Sequence, residues 1–265
     1  MLTRMAQAEA SSPSGTDSRA FGVDVGGSGI KGAVVDLSTG EFVGDRRKIA
    51  TPQPATPEAV AATVAQIVEE AGWNGPVGVT LPSVIKDQVA LTAANIDPSW
   101  VGTNCHDLLF AHLGDRGIAV LNDADAAGLA EVAHGEAAAR EGAVIFLTFG
   151  TGIGSAFFAD GELFANTELG HMIIDGREAE HIASSAVKDR EELSYEEWAG
   201  RVSTVLLEYE RLFNPAAFIV GGGISRKADK WVPLLDVTTP VHPARLRNRA
   251  GIVGAAMAAA RHVAP

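Results

Sequence analysis

The chain has 265 residues, of which 46% are hydrophobic, 20% are charged and 29 are glycine, a composition that indicates a folded globular protein and excludes disordered and collagen-like chains. With 21 basic and 33 acidic residues the formal net charge is −12, which excludes general attraction to nucleic acid or to an anionic membrane. The single cysteine, Cys105, can form neither an internal disulfide nor a zinc site of paired thiolates, which favours a cytoplasmic location.

The first 20 residues contain alanine, serine and small polar residues without an apolar run, so we predict a disordered arm over residues 1–19. Such a segment is neither a signal peptide nor a membrane span. The next residues, 21–32 (FGVDVGGSGIKG), contain the spacing G-x-G-x-x-G. An apolar, β-branched run follows where a dinucleotide-binding unit would begin a helix, so we predict a β-hairpin there instead of a Rossmann turn.

A second glycine-rich segment repeats the first. Residues 27–35 (GSGIKGAVV) align without gaps with residues 150–158 (GTGIGSAFF), and both copies follow an apolar strand. Glycine allows backbone N–H groups to approach a phosphate closely, because it has no Cβ. Two such hairpins on duplicated halves could hold one phosphate chain from both walls of a cleft, as in a phosphotransferase. Two tight turns without any ligand remain the alternative.

The rest of the chain alternates helices and strands, as parallel α/β proteins do. Helices are predicted over residues 57–71, 107–113, 124–133, 194–213 and 251–262, and strands over residues 76–81, 118–121 and 218–220. Ser194 and Glu197 indicate a capping box at the start of the longest helix. The apolar face of that helix could be core or subunit interface.

Polar residues that could take part in catalysis or binding follow two of these elements. Asp123 stands where an apolar strand passes into an alanine-rich helix, a position typical of α/β active sites, so it is a candidate general base. The alternative is an ordinary helix N-cap. Glu168 and His171 come soon after the second hairpin and suit the hydroxyls of a polyol, although a solvated turn would contain the same residues. Glu180 alone is only a surface acid on this basis.

Several segments carry a family resemblance: residues 24–31 (DVGGSGIK), 122–127 (NDADAA), 148–154 (TFGTGIG), 168–171 (ELGH) and 221–224 (GGGI). In order and spacing they resemble the ROK family of sugar kinases, within the hexokinase, Hsp70 and actin superfamily, over residues 21–262. Residues 51–57, 222–235 and 248–257 more narrowly resemble the actinobacterial polyphosphate glucokinases, including the polyphosphate/ATP glucomannokinase type.

The resemblance implies an α/β fold of the actin-like ATPase (ribonuclease H-like) type, with two domains around a cleft. The implied domains are a smaller one of residues 20–121 plus 249–265 and a larger one of residues 122–248. It also implies a hexokinase that uses polyphosphate or ATP, phosphorylates glucose and potentially mannose, and requires Mg²⁺. A homodimer without nucleic-acid or membrane partners is implied as well.

The resemblance further implies individual roles. Asp123 corresponds to the catalytic base, and Asp24 to the residue that orients the metal. The sugar-contacting positions are Asn95, Asn122, Asp123, Glu168, His171 and Glu180. The phosphate-binding positions are Gly26, Gly27, Ser28, Gly29 and Lys31 in the first hairpin and Thr148, Gly150, Thr151 and Gly152 in the second. The positions that would border the purine of ATP are Gly221, Gly222 and Gly223.

One departure from the family concerns zinc. Many ROK members carry a Cys-x-Cys-x-x-x-x-Cys motif after the Gly-His pair, but residues 172–184 contain no cysteine, so zinc is not expected. His171 would then serve the sugar alone, and what keeps the sugar loop rigid is an open question.

Other readings remain open. One is an ATP-only ROK kinase for another hexose. A sugar-binding ROK regulator would need a DNA-binding helix-turn-helix before the first hairpin, where this sequence has only about 20 residues. The third alternative function is that of a filament-forming relative of actin. Residues 225–249 contain six basic and two acidic residues, and could guide a polyphosphate tail or simply form a solvated surface.

Overall fold

The computed structural model describes residues 18–94 and 96–261, which are organised on two five-stranded sheets. The strands of the first half (residues 18–122) are β1 (Arg19–Gly26), β2 (Gly29–Asp36), β3 (Glu41–Ile49), β4 (Val77–Leu81), the short pair β5 (Ile85–Lys86) and β6 (Val89–Ala90), and β7 (Ile118–Asn122). In the sheet order β3-β2-β1-β4-β7, the first three strands form an antiparallel meander, and β4 and β7 run parallel to β1.

The second half (residues 143–243) repeats this plan. Its strands are β8 (Ala143–Phe149), β9 (Ile153–Ala159), β10 (Glu162–Phe164), the short pair β11 (Ile173–Ile174) and β12 (Arg177–Glu178), β13 (Ala217–Gly221) and β14 (Val241–Pro243). The order β10-β9-β8-β13-β14 has the same strand directions as the first sheet. The repeat in the sequence is thus also a repeat in topology, and the predicted α/β class is confirmed. The domain boundaries stay a prediction.

Both predicted hairpins are present at the ends of equivalent strands. In the first, Gly26 pairs with Gly29 across a two-residue turn. In the second, Phe149 pairs with Ile153, so the loop contains one residue more. The first glycine segment is therefore a hairpin, as its sequence predicts, and no helix begins within it.

The α-helices of the described residues are α1 (Pro57–Glu70), α2 (Cys105–Leu113), α3 (Asp123–His134), α4 (Ala179–Ala183), α5 (Ser185–Arg190), α6 (Tyr195–Phe213) and α7 (Ala250–Arg261). The predicted capping box of α6 is confirmed, because the Ser194 hydroxyl accepts the N–H of Glu197 and the Glu197 carboxylate accepts the N–H of Ser194. On the apolar face of α6, Trp198, Val202 and Leu206 are fully buried, so this face is core of the second half.

Helix α7 packs across the first sheet and against α3 at unusually short range. Gly22 in β1 and Gly78 in β4 lie so close to α7 that a Cβ at either position would overlap a carbonyl group of the helix. Gly254 of α7 lies equally close to the Ala126 carbonyl of α3. These contacts hold α7 close against β1, β4 and α3.

The predicted arm, residues 1–19, lies outside the described residues except for Ser18 and Arg19, and Arg19 already begins β1. Within residues 18–94 and 96–261, none of the helices combines the length and apolarity that crossing a bilayer requires.

Candidate active site

A cleft of about 790 Å³ lies where the first and second halves meet. Its volume falls in the range of about 300–1,000 Å³ that is usual for small-molecule sites. Many predicted site residues line it: Asp24, Lys31, Asn122, Asp123, Thr148, Gly150, Thr151, Gly152, Glu168, His171, Glu180 and Gly222. Residues that the sequence did not single out for the site also line it, among them Ser83, Thr92, Ser155, Arg247 and Asn248. Distant segments of the sequence therefore converge on one cavity.

Other predicted residues lie elsewhere. Gly26, Gly27, Ser28 and Gly29, at the tip of the first hairpin, do not line the cleft, and neither do Gly221 and Gly223. Asn95 lies outside the described residues. The first hairpin reaches the cleft through the side chains of Asp24 and Lys31, whereas the second reaches it through its glycine backbone.

Asp123 is the first residue of α3, and it is not the residue that caps the helix. The Asn122 Oδ1 atom caps it, accepting the N–H groups of Ala124 at 2.8 Å and Asp125 at 3.2 Å. The Asn122 amide also donates to the Ser83 carbonyl at 3.2 Å, which ties the helix start to the first half. Since Asn122 does the capping, the Asp123 carboxylate is left exposed to the cleft.

The position of Asp123 changes its acidity. Asp123 is exposed to the cleft, but the surrounding cleft walls reduce the hydration of its carboxylate, which raises its pKa to about 6. The like charge of Asp24 raises the pKa further, and that of Glu168 contributes less, while the N–H of Ala124 acts in the opposite direction. A carboxylate with this pKa is mostly ionised at neutral pH and is still a stronger base than an ordinary aspartate.

Asp24 carries the second carboxylate of the cleft floor. It lies on β1 opposite Lys31 on β2, and the Lys31 ammonium donates to its Oδ2 atom at 3.1 Å. Thr80 on β4 donates to Oδ1 at 3.4 Å. Carboxylate and phosphate oxygens are the ligands that Mg²⁺ prefers. The repulsion between Asp24 and Asp123 is what a cation would relieve, so these residues suit a magnesium ion shared with a donor phosphate.

The second hairpin forms one wall of the cleft with its loop residues 150–152. The N–H of Gly150 donates to the carbonyl of Gly152 at 3.0 Å, which closes the turn. The N–H of Ile153 donates to the Glu180 carboxylate at 3.3 Å, and a Cβ on Gly152 would overlap that carboxylate. A side chain at position 152 would therefore displace the Glu180 carboxylate from its present position.

Residues that the sequence analysis missed hold the turn of Glu168 and His171. The Ser155 hydroxyl donates to the Thr167 carbonyl at 2.6 Å and accepts the N–H of Leu169 at 2.9 Å. The Tyr209 hydroxyl of α6 donates to the Leu169 carbonyl at 2.7 Å. The turn that contains Glu168 and His171 is thus tied to β9 and α6 by hydrogen bonds.

His171 does not stand alone. Its Nδ1 atom lies 3.2 Å from a Glu178 carboxylate oxygen, and its Nε2 atom lies 3.9 Å from Glu168. Partial burial lowers the pKa of His171, but the glutamates Glu178, Glu180 and Glu168 together outweigh that effect and raise it. Burial has the opposite effect on the carboxyl of Glu168. It raises the pKa of Glu168, and the positive charge of His171 partly offsets this increase. The imidazole is accordingly biased toward its charged, donating form.

The described residues contain one cluster of potential metal ligands. Among the described residues, His171, Glu178 and Glu180 place one potential ligand atom each within 4.8 Å of the others. Structural zinc sites have four ligands and are rich in thiolates, and this cluster has three ligands and no cysteine. The absence of zinc stays a prediction.

Comparison with known proteins identifies the family. The family model described as "ROK family" matches residues 20–184. A polyphosphate glucokinase of Mycobacterium tuberculosis is 57% identical over 243 residues, which is 92% of each chain. The crystal structure of an inorganic polyphosphate/ATP-glucomannokinase from Arthrobacter sp. strain KM superposes with a TM-score of 0.87 at 48% identity, covering 93% of this chain and 100% of that one.

A solved structure of lower sequence identity is also similar to this chain over most of its length. The ROK family glucokinase of Streptomyces griseus, solved in complex with glucose and AMPPNP, has a TM-score of 0.76 at 25% identity, covering 92% of this chain and 99% of that one. The strand plan, the motifs and the extent of these matches give one conclusion. This chain belongs to the ROK family.

Proposed function

We propose that this protein is a hexokinase that transfers the terminal phosphoryl group of inorganic polyphosphate or ATP to the 6-hydroxyl of glucose. The observation that carries the proposal is the Asp123 carboxylate, which Asn122 frees from capping and which faces a cleft walled by a glycine hairpin and by Glu168 and His171. The names of the Mycobacterium tuberculosis and Arthrobacter relatives support the same donor and acceptor.

In the proposed reaction Asp123 accepts the proton of the 6-hydroxyl. The hydroxyl oxygen forms a bond to the terminal phosphorus while the bond from that phosphorus to the bridging oxygen breaks, and the shortened donor leaves as the anion. Positioning and charge neutralisation supply most of the rate in such transfers. Proton acceptance contributes about 10²- to 10⁴-fold.

We assign the acceptor to the wall that carries the Glu168 turn. Carboxylates accept hydrogen bonds from sugar hydroxyls, and a charged imidazole donates to them. Glu168, His171 and Glu180 would provide these groups, with Asn122 and Asn95 as amide contacts. Discrimination between glucose and mannose, which differ in the orientation of one hydroxyl, would depend on the placement of the same groups.

The donor is assigned to the second hairpin and its surroundings. Thr148, Gly150, Thr151 and Gly152 would contact the phosphates from one wall, and Lys31 would do so from the other. We propose that Gly26, Gly27, Ser28 and Gly29 approach the donor only when the two halves close over it. Gly221, Gly222 and Gly223 would border the purine of ATP. When bound, Mg²⁺ neutralises phosphate charge, and Asp24 would hold it.

We further propose that the protein is cytoplasmic and forms a homodimer. Cys105 is buried, and burial raises the pKa of its thiol to about 11, so it is an inert core residue that suits a reducing cytoplasm. We expect a homodimer, as the family resemblance implies. Light scattering after size exclusion measures this directly.

The test is a matrix of initial rates with ATP or long-chain polyphosphate as donor and with glucose, mannose, fructose or N-acetylglucosamine as acceptor. Glucose 6-phosphate formed from both donors, abolished by chelation of Mg²⁺, is the expected result. Activity with ATP alone on another sugar would support the alternative kinase. Tight sugar binding without transfer from either donor would support a regulator.

A further inference from the structure

We infer that Arg247 binds the phosphate chain of the donor, an inference that rests on the proposed function and names a donor-binding residue. Arg247 precedes α7 and lines the cleft together with Gly150, Thr151 and Gly222. Arg247 is an exposed residue.

The backbone of Arg247 is in an unusual conformation. Its φ angle is +54°, in the left-handed region that glycine adopts freely and that residues with a Cβ rarely adopt. A residue in this region costs conformational energy, and such residues concentrate at sites where the side chain is needed. Glycine would be the cheaper residue for folding at this position, so the arginine calls for a reason other than stability.

The surroundings of Arg247 hold that conformation in place. The carboxylate of Glu131, which is fully buried in α3, accepts the N–H groups of Arg245 at 3.1 Å and Leu246 at 2.6 Å. After Arg247, the Arg249 guanidinium is paired with Glu41 on β3. Because Glu131 and Asp123 belong to the same helix, Arg247 is held at a fixed position relative to the proposed base.

The neighbouring cations are already neutralised. Arg245 lies 2.7 Å from Glu136, Arg249 is paired with Glu41, and Lys31 lies 3.1 Å from Asp24. Within residues 18–94 and 96–261, no hydrogen bond or ion pair is found for the Arg247 side chain. A guanidinium presents five donors in a planar fork that matches phosphate oxygens, and all of them are available here.

Only part of the basic stretch of residues 225–249 lines the cleft. Arg226, Lys227 and Lys230 lie in the same basic stretch of residues 225–249, but they do not line the cleft. Arg247 does. Its segment, residues 247–249, packs against residues 223–230, which begin at the last of the glycines that we assign to the purine of ATP, and it lies near the N-terminus of α7, whose dipole also favours anions. Both proposed donors present a chain of charged phosphates, so loss of Arg247 should weaken the binding of polyphosphate and of ATP.

The test uses Arg247→Gly, which removes the guanidinium and relieves the backbone, and Arg247→Lys, which keeps the charge without the fork. Arg211→Ala, on α6 and paired with Glu208, is a control for the loss of one positive charge. The measurements are calorimetric binding of inorganic tripolyphosphate without sugar, KM values for polyphosphate, ATP and glucose, and thermal unfolding.

We expect Arg247→Gly to weaken tripolyphosphate binding by about 10- to 100-fold, an effect that shrinks as salt is added. The KM values of Arg247→Gly for long polyphosphate and for ATP should both rise, while its KM for glucose stays unchanged. The Arg211→Ala control should keep the wild-type KM values and tripolyphosphate affinity. The unfolding midpoint should stay the same or rise, and Arg247→Lys should fall between Arg247→Gly and the wild type.

Unchanged tripolyphosphate affinity in Arg247→Gly would overturn the inference. So would a lowered unfolding midpoint with equal increases in the KM values for donor and glucose, because that pattern indicates a structural role. Arg247-dependent binding of tripolyphosphate in a protein that phosphorylates no sugar would contradict the proposed function and still support the role of Arg247.

Discussion

Asn166 joins the two halves of the protein through a pair of hydrogen bonds to the backbone of Ile85. Its Oδ1 atom accepts the N–H of Ile85 at 3.0 Å, and its Nδ2 atom donates to the Ile85 carbonyl at 2.7 Å. Its own N–H donates to the buried Asp125 carboxylate at 2.8 Å. Asn166 precedes the Glu168 turn by two residues, so this bridge also sets the position of the proposed sugar-binding residues.

The two side-chain hydrogen bonds of Asn166 predict that Asn166→Gly destabilises the protein. Asn166 has φ +63°, which glycine also adopts, so the substitution removes the two side-chain hydrogen bonds without adding backbone strain. We expect a loss of about 2 kcal/mol of unfolding free energy, a midpoint about 4–8 °C lower, and a higher KM for glucose. Thermal unfolding and sugar kinetics measure these effects.

Asp175→Gly is the matched control, because Asp175 is an exposed residue with φ +49°. It should leave the midpoint unchanged or slightly raised. Equal behaviour of the two variants would show that the Asn166 bridge contributes nothing.

Asp125 predicts a pH-dependent contribution to stability. It is fully buried, its Oδ1 atom has no partner among the described residues, and burial raises its pKa to about 7. Stability that depends on the protonated carboxyl is complete below the ordinary pKa of 3.8 and is lost as pH rises through about 7. Asp125→Asn has no such loss, so the unfolding midpoint of the variant minus that of the wild type should increase from pH 4.5 to pH 8. A difference that is constant with pH would rule out the raised pKa.

The close packing of α7 predicts that Gly254→Ala is strongly destabilising. A Cβ at Gly254 would overlap the carbonyl of Ala126, and backbone on both sides leaves little room for relaxation. We expect a loss of about 1–3 kcal/mol or more. Gly200→Ala in α6 is the control, since no atom lies within 4 Å of its added methyl group, and it should stabilise the protein by about 0.5–1 kcal/mol. Chemical denaturation of both variants measures the contrast.

The acidity of Asp123 predicts the pH profile of the reaction. Because its pKa is about 6 and only the ionised form accepts a proton, kcat/KM for glucose should fall about tenfold per pH unit below that value. Above pH 7 the acidic limb should be flat. Rates that stay constant from pH 5 to pH 8 would show that Asp123 is not the group that titrates in the rate.

The sequence could predict what depends on local patterns. The hairpins, the capping box at Ser194 and the strand–helix alternation follow from glycine placement and periodicity, and the structure confirms them. Whether Asp123 caps its helix or faces a ligand could not be decided in this way, since both roles suit an aspartate at a helix start. Only the coordinates show that Asn122 takes the cap.

Contacts between distant segments were not predictable. The Asn166 bridge to Ile85 spans 81 residues, and the segment around Arg247 is held by contacts with Glu131 and Glu41 that are remote in sequence. The sequence instead presented a broad basic stretch, in which the paired arginines and the unpaired one look alike. Ser155 and Tyr209, which hold the Glu168 turn by hydrogen bonds, could not be recognised from the sequence either.

The most direct test of Asp123 as the catalytic base is the turnover rate of Asp123→Asn, measured together with its dissociation constant for glucose. Asn122 keeps the helix cap in this variant, so the fold should be intact, with an unfolding midpoint close to that of the wild type. We expect kcat to fall by about 10²- to 10⁴-fold while the dissociation constant for glucose changes only a few-fold. A folded variant that phosphorylates glucose at a near-normal rate would contradict the assignment of Asp123 as the base.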